Sequence, residues 1–216
     1  MTVSAKPVYE FVFYSLNKIK KEEYHKNYLN FKNEIKNLDG CLEFETFNVA
    51  DNDLLILDFG KWKNLEAAQK ADNRVQTETT FKKFFEPMNE IIFFENMYLI
   101  HSFIKEDTEE SKLVELNVYI ADCFEEEKYN RNRKLFYERV KEKADGFVKT
   151  LSFVSVEDKN VNIDLMFWES REKANNAHKL LNDDPYFRAM KKTVTELKIW
   201  KQLEYFYPLE KERNNG

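Results

Sequence analysis

Shifted by 106 residues, the chain lies on itself without a gap, and this duplication constrains its fold more than any other feature. Val8 meets Val114, Val12 meets Val118 and Leu29 meets Leu135. Asp39-Gly40 falls on Asp145-Gly146, Phe47 on Phe153, Asp58 on Asp164 and Trp62 on Trp168. Glu66, Ala68 and Ala71 meet Glu172, Ala174 and Ala177, and Phe81 meets Phe187. A turn pair, a tryptophan at a strand end and a helix face of small residues therefore recur at one spacing.

Each copy reads β-α-β-β-α-β. In the first, "VYEFVFYSL" is β-rich, and Tyr24, Tyr28, Phe31, Ile35 and Leu38 follow at helical spacing. Asp39-Gly40 closes that helix, with glycine suited to a left-handed cap. "CLEFETFNV" and "LLILDFGKW" form a strand pair, a helix starts near Asn64, and "EIIFFENMYLIHSF" is the last strand. The second copy offers "LVELNVYIA", a helix over 125–144, "FVKTLSFVSV", "VNIDLMFW", one long second helix and "LKIWKQLEYFYPL". The expected fold class is α+β, with a ferredoxin-like repeat over 1–104, a polar linker over 105–112, a second repeat over 113–209 and a flexible tail over 210–216.

Such a unit is an antiparallel sheet with both helices on one face. "EFVFY", "LLIL" and "IIFF" are nevertheless apolar on both sides, so the open face needs a cover. Leaving eight such side chains in water costs about 1.5–3 kcal/mol each, a sum that rivals the roughly 5–15 kcal/mol net stability of a domain. The other repeat's sheet is the nearest cover. The expectation is two sheets packed face to face about an internal pseudo-twofold, a monomer built as an intramolecular dimer; a further homodimer stays open.

Composition excludes several function classes. A net charge of −5 with acids and bases well mixed argues against nucleic acid, which needs a basic face. No run approaches the roughly 18 apolar residues of a membrane span, and no signal peptide is evident in "MTVSAKPVYEF". The two cysteines, Cys41 and Cys123, show no metal spacing, so reduced thiols and a cytoplasmic location are expected. Three scattered histidines give no metal site. No glycine-rich phosphate loop, nucleophile elbow or Cys-His pattern is present.

The tandem arrangement resembles the dimeric α/β-barrel superfamily in its fused form, and "FWESREKANNAH…DDPYF" (167–187) resembles the antibiotic-biosynthesis monooxygenase family. That resemblance implies a pocket between sheet and helices that takes a small hydrophobic or aromatic molecule, and oxygenation without a cofactor. Whether the chain is an enzyme stays open; the alternative is a member that binds a ligand or a protein without catalysis. The haem-degrading branch is similar in using a strand asparagine, a tryptophan and an iron-ligating histidine. Asn117 matches the first, but Leu181 and Lys191 stand at the other two positions, so haem is not expected and no cofactor is assigned.

The candidate catalytic residues are His178, Asn117 and Tyr119. His178 is suited to general-base work by its ordinary pKa, although most helix histidines are merely surface groups. Asn117 and Tyr119 alternate on one face of a strand, where an amide and a phenol can orient a substrate oxygen; a satisfied core role is the plain alternative. Phe11, Phe13 and Asp72 stand at the corresponding positions of repeat 1, so the working pocket is expected in repeat 2. Trp168, Phe187 and Tyr205 are the candidate substrate-binding residues. Asp58 and Asp164 are read either as a coupled pair across the pseudo-twofold or as carboxylates each held by local hydrogen bonds. His25 and the charge run "EEEKYNRNRK" (125–134) read as solvated.

Overall fold

The computed structural model describes residues 6–106, 108–122 and 126–207. Cys123 and the 210–216 tail lie outside them. The chain divides into two compact units, Met1–Asn96 with Tyr205–Gly216, and Met97–Glu204. Among the described residues no helix is long and apolar enough to cross a membrane.

In the first unit, β1 (Val8–Leu16) and β2 (Cys41–Val49) both pair antiparallel with β3 (Asn52–Trp62). The start of β4 (Met88–Ile104) lies beside β1, where Asn89 Nδ2 donates to Ser15 Oγ at 3.3 Å. A 3-10 turn at Lys18–Lys20 leads into α1 (Lys21–Lys36), which buries Tyr24, Tyr28, Phe31 and Ile35. The helix ends at Gly40, whose φ of 86° is the left-handed conformation expected of it. The second helical stretch is broken into α2 (Leu65–Thr77) and α3 (Thr79–Phe85). Asn64 caps α2, its side chain accepting from the Ala67 amide at 2.8 Å, and Ala67, Ala68 and Ala71 let the helix lie close on the sheet.

In the second unit, β5 (Leu113–Ala121) pairs antiparallel with β7 (Val161–Trp168) on one side and β8 (Val194–Tyr205) on the other. β6 (Phe147–Ser155) lies on the far side of β7. The order β8-β5-β7-β6 is the ferredoxin-like one. Residues Met97–Ile104, the second half of β4, pair with β6 and give this sheet a fifth strand. α4 (Glu126–Lys143), α5 (Arg171–Leu181) and α6 (Pro185–Lys191) pack on one face over Trp168, Phe147, Met166 and Tyr119. β7 is buried at every residue, so both of its faces are covered.

The long second helix expected in repeat 2 is two helices. Asp184 accepts from the amides of Tyr186 and Phe187 at 2.9 and 3.4 Å, and Pro185 at the first helical position cannot continue α5. A new helix starts where the old one ends.

Strand register corrects the ungapped alignment in its first third. Val12 faces Asp58 across β1 and β3, whereas Asn117 faces Asp164 across β5 and β7, an offset of 105. The burial patterns of β1 and β5 are identical at that offset. The extra residue lies at the end of α4, where three residues and Ala144 separate Val140 from Asp145, while Lys36, Asn37 and Leu38 separate Ile35 from Asp39. Hence Asn117 corresponds to Val12 and Tyr119 to Tyr14, not to Phe11 and Phe13. The same correction equates Glu115 with Glu10 and Arg133 with Tyr28.

Candidate active site

The second unit encloses a cavity of about 410 Å³ between its sheet and helices. Glu115, Asn117 and Tyr119, alternate residues of β5, line it from one strand face, as period-two side-chain geometry requires. Asp164, Met166 and Trp168 line it from β7, Phe136 and Tyr137 from α4, and Ala177, His178 and Leu181 from α5. Phe187, Met190 and Lys191 of α6 and Leu197 and Trp200 of β8 complete the wall.

Glu115 is fully buried, and three side chains hold its carboxylate. The Trp168 indole donates to Oε2 at 3.0 Å, His178 Nε2 lies 2.9 Å from the same oxygen, and Gln202 donates to Oε1 at 3.2 Å. The hydrogen bond to Glu115 raises the His178 pKa above its ordinary value, against the opposing effect of burial. His178 itself is partly exposed, so the pair joins a dry carboxylate to an imidazole that solvent can reach.

Deeper in, Asp164 is the acceptor of a closed network. Tyr119 and Tyr137 donate to Oδ2 at 2.8 and 2.7 Å, and Ser152 donates to Oδ1 at 2.6 Å. Arg133 donates to Oδ1 through Nε at 3.1 Å and also through a terminal nitrogen. Arg133 is fully buried, which corrects the solvated reading at that one position, while Glu127, Lys128, Arg131 and Lys134 of the same run are exposed. A buried guanidinium is tolerable here because it meets a carboxylate, the Asn162 amide oxygen at 3.0 Å and the Ile163 carbonyl at 3.1 Å. The Tyr119 hydroxyl also meets Tyr129 at 2.7 Å, and burial pushes its pKa well above the ordinary phenol. Tyr119 is thus a fixed part of the floor rather than a proton acceptor at neutral pH.

In the first unit Asp58 is held likewise, accepting from Tyr14 at 3.0 Å and Thr46 at 2.5 Å. Each aspartate is bound within its own unit by local hydroxyls. Among the described residues no arginine reaches Asp58, Tyr28 standing where Arg133 stands, and burial raises the Asp58 pKa to about 7.

The structure brings five of the six expected residues, His178, Asn117, Tyr119, Trp168 and Phe187, into one cavity lining. Tyr205 is elsewhere: it belongs to the first unit, with its ring 5.0 Å from that of Phe47. His25 is half-buried against Phe206, 4.9 Å between rings, rather than solvated. Sequence reading missed Glu115, Gln202 and Arg133. Glu115 had a signal, an acid inside "LVELNVYI" with the same parity as Asn117 and Tyr119.

The chain matches solved structures over 93–96% of its length. An anthrone oxidase-like protein matches with a TM-score of 0.74 at 11% identity, covering 96% of this chain and 94% of that one. The fold is of the dimeric α/β-barrel type seen in these structures. A "putative monooxygenase" from Lactobacillus acidophilus NCFM matches with a TM-score of 0.67 at 12% identity, covering 93% and 94%. A chlorite dismutase from Candidatus Nitrospira defluvii matches with a TM-score of 0.66 at 9% identity, covering 95% and 93%. No family model and no curated protein matches the sequence. At such identities the likeness concerns architecture, and chemistry has to be argued from side chains. Lys191 and His178 both line the cavity, and His178 is hydrogen-bonded to Glu115.

Proposed function

We propose that the second unit binds a small aromatic molecule with an acidic CH or OH group and oxidises it directly with dioxygen. The observation that carries this reading is the Glu115–His178 pair on the wall of a mostly apolar cavity. An apolar pocket with a few convergent polar groups is the usual form of a small-molecule site, and the solved structures named monooxygenase and anthrone oxidase-like support the same class.

The chemistry balances with substrate and dioxygen alone. His178, held by Glu115, takes the acidic proton and leaves a delocalised anion. That anion is the reductant: its carbon donates electrons to dioxygen, and protonation gives a hydroperoxide. Loss of the second C–H proton breaks the O–O bond, so a CH2 group and O2 become a carbonyl and water. Asn117 orients the substrate oxygen on which the negative charge develops, and Trp168, Met166 and Phe187 clamp the ring plane. Tyr119 fixes the floor through Asp164.

Oxygen uptake with anthrones and quinols tests the reading. The expected result is one dioxygen consumed per anthrone, with a rate lowered about 10²–10⁴-fold in His178→Ala, the range for loss of a general base. Equal rates in wild type and variant refute the assignment, and saturable binding without uptake identifies a non-catalytic binding protein instead.

A further inference from the structure

The first unit keeps the glutamate but replaces its partners. Glu10 occupies on β1 the place of Glu115 on β5, facing Gly60 where Glu115 faces Met166. Asp72 of α2 stands where His178 stands on α5, so a carboxyl meets a carboxyl. Burial, Asp72 and Asp58 together push the Glu10 pKa well above the ordinary range. Glu10 is only 8% exposed, yet its Oε2 has no hydrogen-bond partner, and neither has the indole nitrogen of Trp62, which is 1% exposed. The equivalent Trp168 nitrogen is bonded to Glu115.

These groups line a cavity of about 130 Å³, roughly four times the 30 Å³ that one water occupies in the liquid. Its other walls include Phe31, Phe44, Phe84 and Phe94. Three carboxyls, Glu10, Asp58 and Asp72, thus share one small aromatic chamber. Among the described residues no group of histidine, cysteine or acidic side chains has metal-binding geometry. Aromatic faces attract organic cations within about 6 Å, and buried carboxylates need a positive partner or a proton.

We propose that this chamber is a second binding site, specific for a small primary ammonium ion held by Glu10 and Asp72 against the aromatic wall. The ammonium supplies a donor to Glu10 Oε2, as His178 does for Glu115 Oε2. An ionised Glu10 then also accepts from the Trp62 indole. Ligand binding displaces the protons that otherwise keep the carboxyls neutral. The site is independent of the oxidative chemistry assigned to the second unit.

Calorimetric titration of the intact protein with methylammonium and ethylammonium chlorides tests the proposal, with sodium chloride at matched ionic strength as the control. Saturable binding to one site is expected, weakened at least tenfold by Asp72→Asn and by Glu10→Gln. Asp72 is half-buried on a helix, so Asp72→Asn preserves the fold even if the Glu10 variant does not. Absence of saturable binding overturns the proposal, as does binding undiminished in Asp72→Asn. Binding abolished by His178→Ala instead places the amine in the other cavity and equally overturns it.

Discussion

His178 Nε2 lies 2.9 Å from Glu115 Oε2, and the two residues differ sharply in their contact with water: the carboxylate has none, while the imidazole is partly exposed. The pair places a dry negative charge behind a titratable ring that opens toward solvent. The proton equilibrium of the ring is therefore set from inside the protein.

Glu115→Gln lowers the His178 pKa toward that of a free imidazole, because the charged acceptor is removed. With neutral His178 as the base, kcat/KM falls as pH drops through the raised pKa, and the variant shifts that limb to lower pH. Proton NMR titration of the ring and a pH–rate profile with an anthrone check the two halves. Stability runs the opposite way with pH. A histidine with a raised folded pKa contributes stability that is fully present below its unfolded pKa, about 6.5, and lost as pH rises through the folded one. Urea melts at pH 5.5 and 8.5 differ less in the variant.

Arg133→Leu leaves Asp164 buried and without its guanidinium. Breaking a buried ion pair from one side costs about 3–5 kcal/mol, and chemical denaturation measures the loss. Adding Asp164→Asn restores part of it, since the amide oxygen still accepts from Tyr119, Tyr137 or Ser152 without carrying a charge.

Asp58 gives stability a pH dependence of the same sense as His178. Its pKa, raised to about 7 in the folded state, means that between about pH 4 and pH 7 the unfolded chain has lost the proton while the native one holds it. Stability therefore decreases as pH rises across that window, by up to roughly 4 kcal/mol at 1.36 kcal/mol per unit. Asp58→Asn keeps an acceptor for Tyr14 and Thr46 and flattens the decline. Denaturant midpoints from pH 4 to pH 8 provide the comparison.

Trp200→Ala removes the aromatic face at the cavity mouth, where Trp200 is 46% exposed. Losing an offset-stacked partner worth about 0.5–1.5 kcal/mol weakens binding of a flat aromatic ligand roughly two- to tenfold. Titration with an anthrone under nitrogen reads this directly, and unchanged affinity removes Trp200 from the site.

The duplication, the element types and the face shared by Asn117 and Tyr119 were legible because hydrophobic period and small-residue patterns act locally. The one-residue difference at the end of α4 was not, since it leaves both helix patterns intact and changes only which strand residues correspond. That slip hid the equivalence of Glu10 with Glu115. Arg133 escaped because a basic residue in a charged helical run is ordinarily wet, and its partner Asp164 lies 31 residues on, across two strands. The break before α6 could have been read from Asp184-Pro185, an acceptor cap followed by a residue that cannot extend a helix.

β4 carries a practical lesson for anyone cutting this polypeptide in two. A fragment begun at Leu113, where the second copy starts, lacks Met97–Ile104 and bares the outer backbone edge of β6. Bare edges recruit other chains, and a piece begun at Met97 keeps β6 paired on that side.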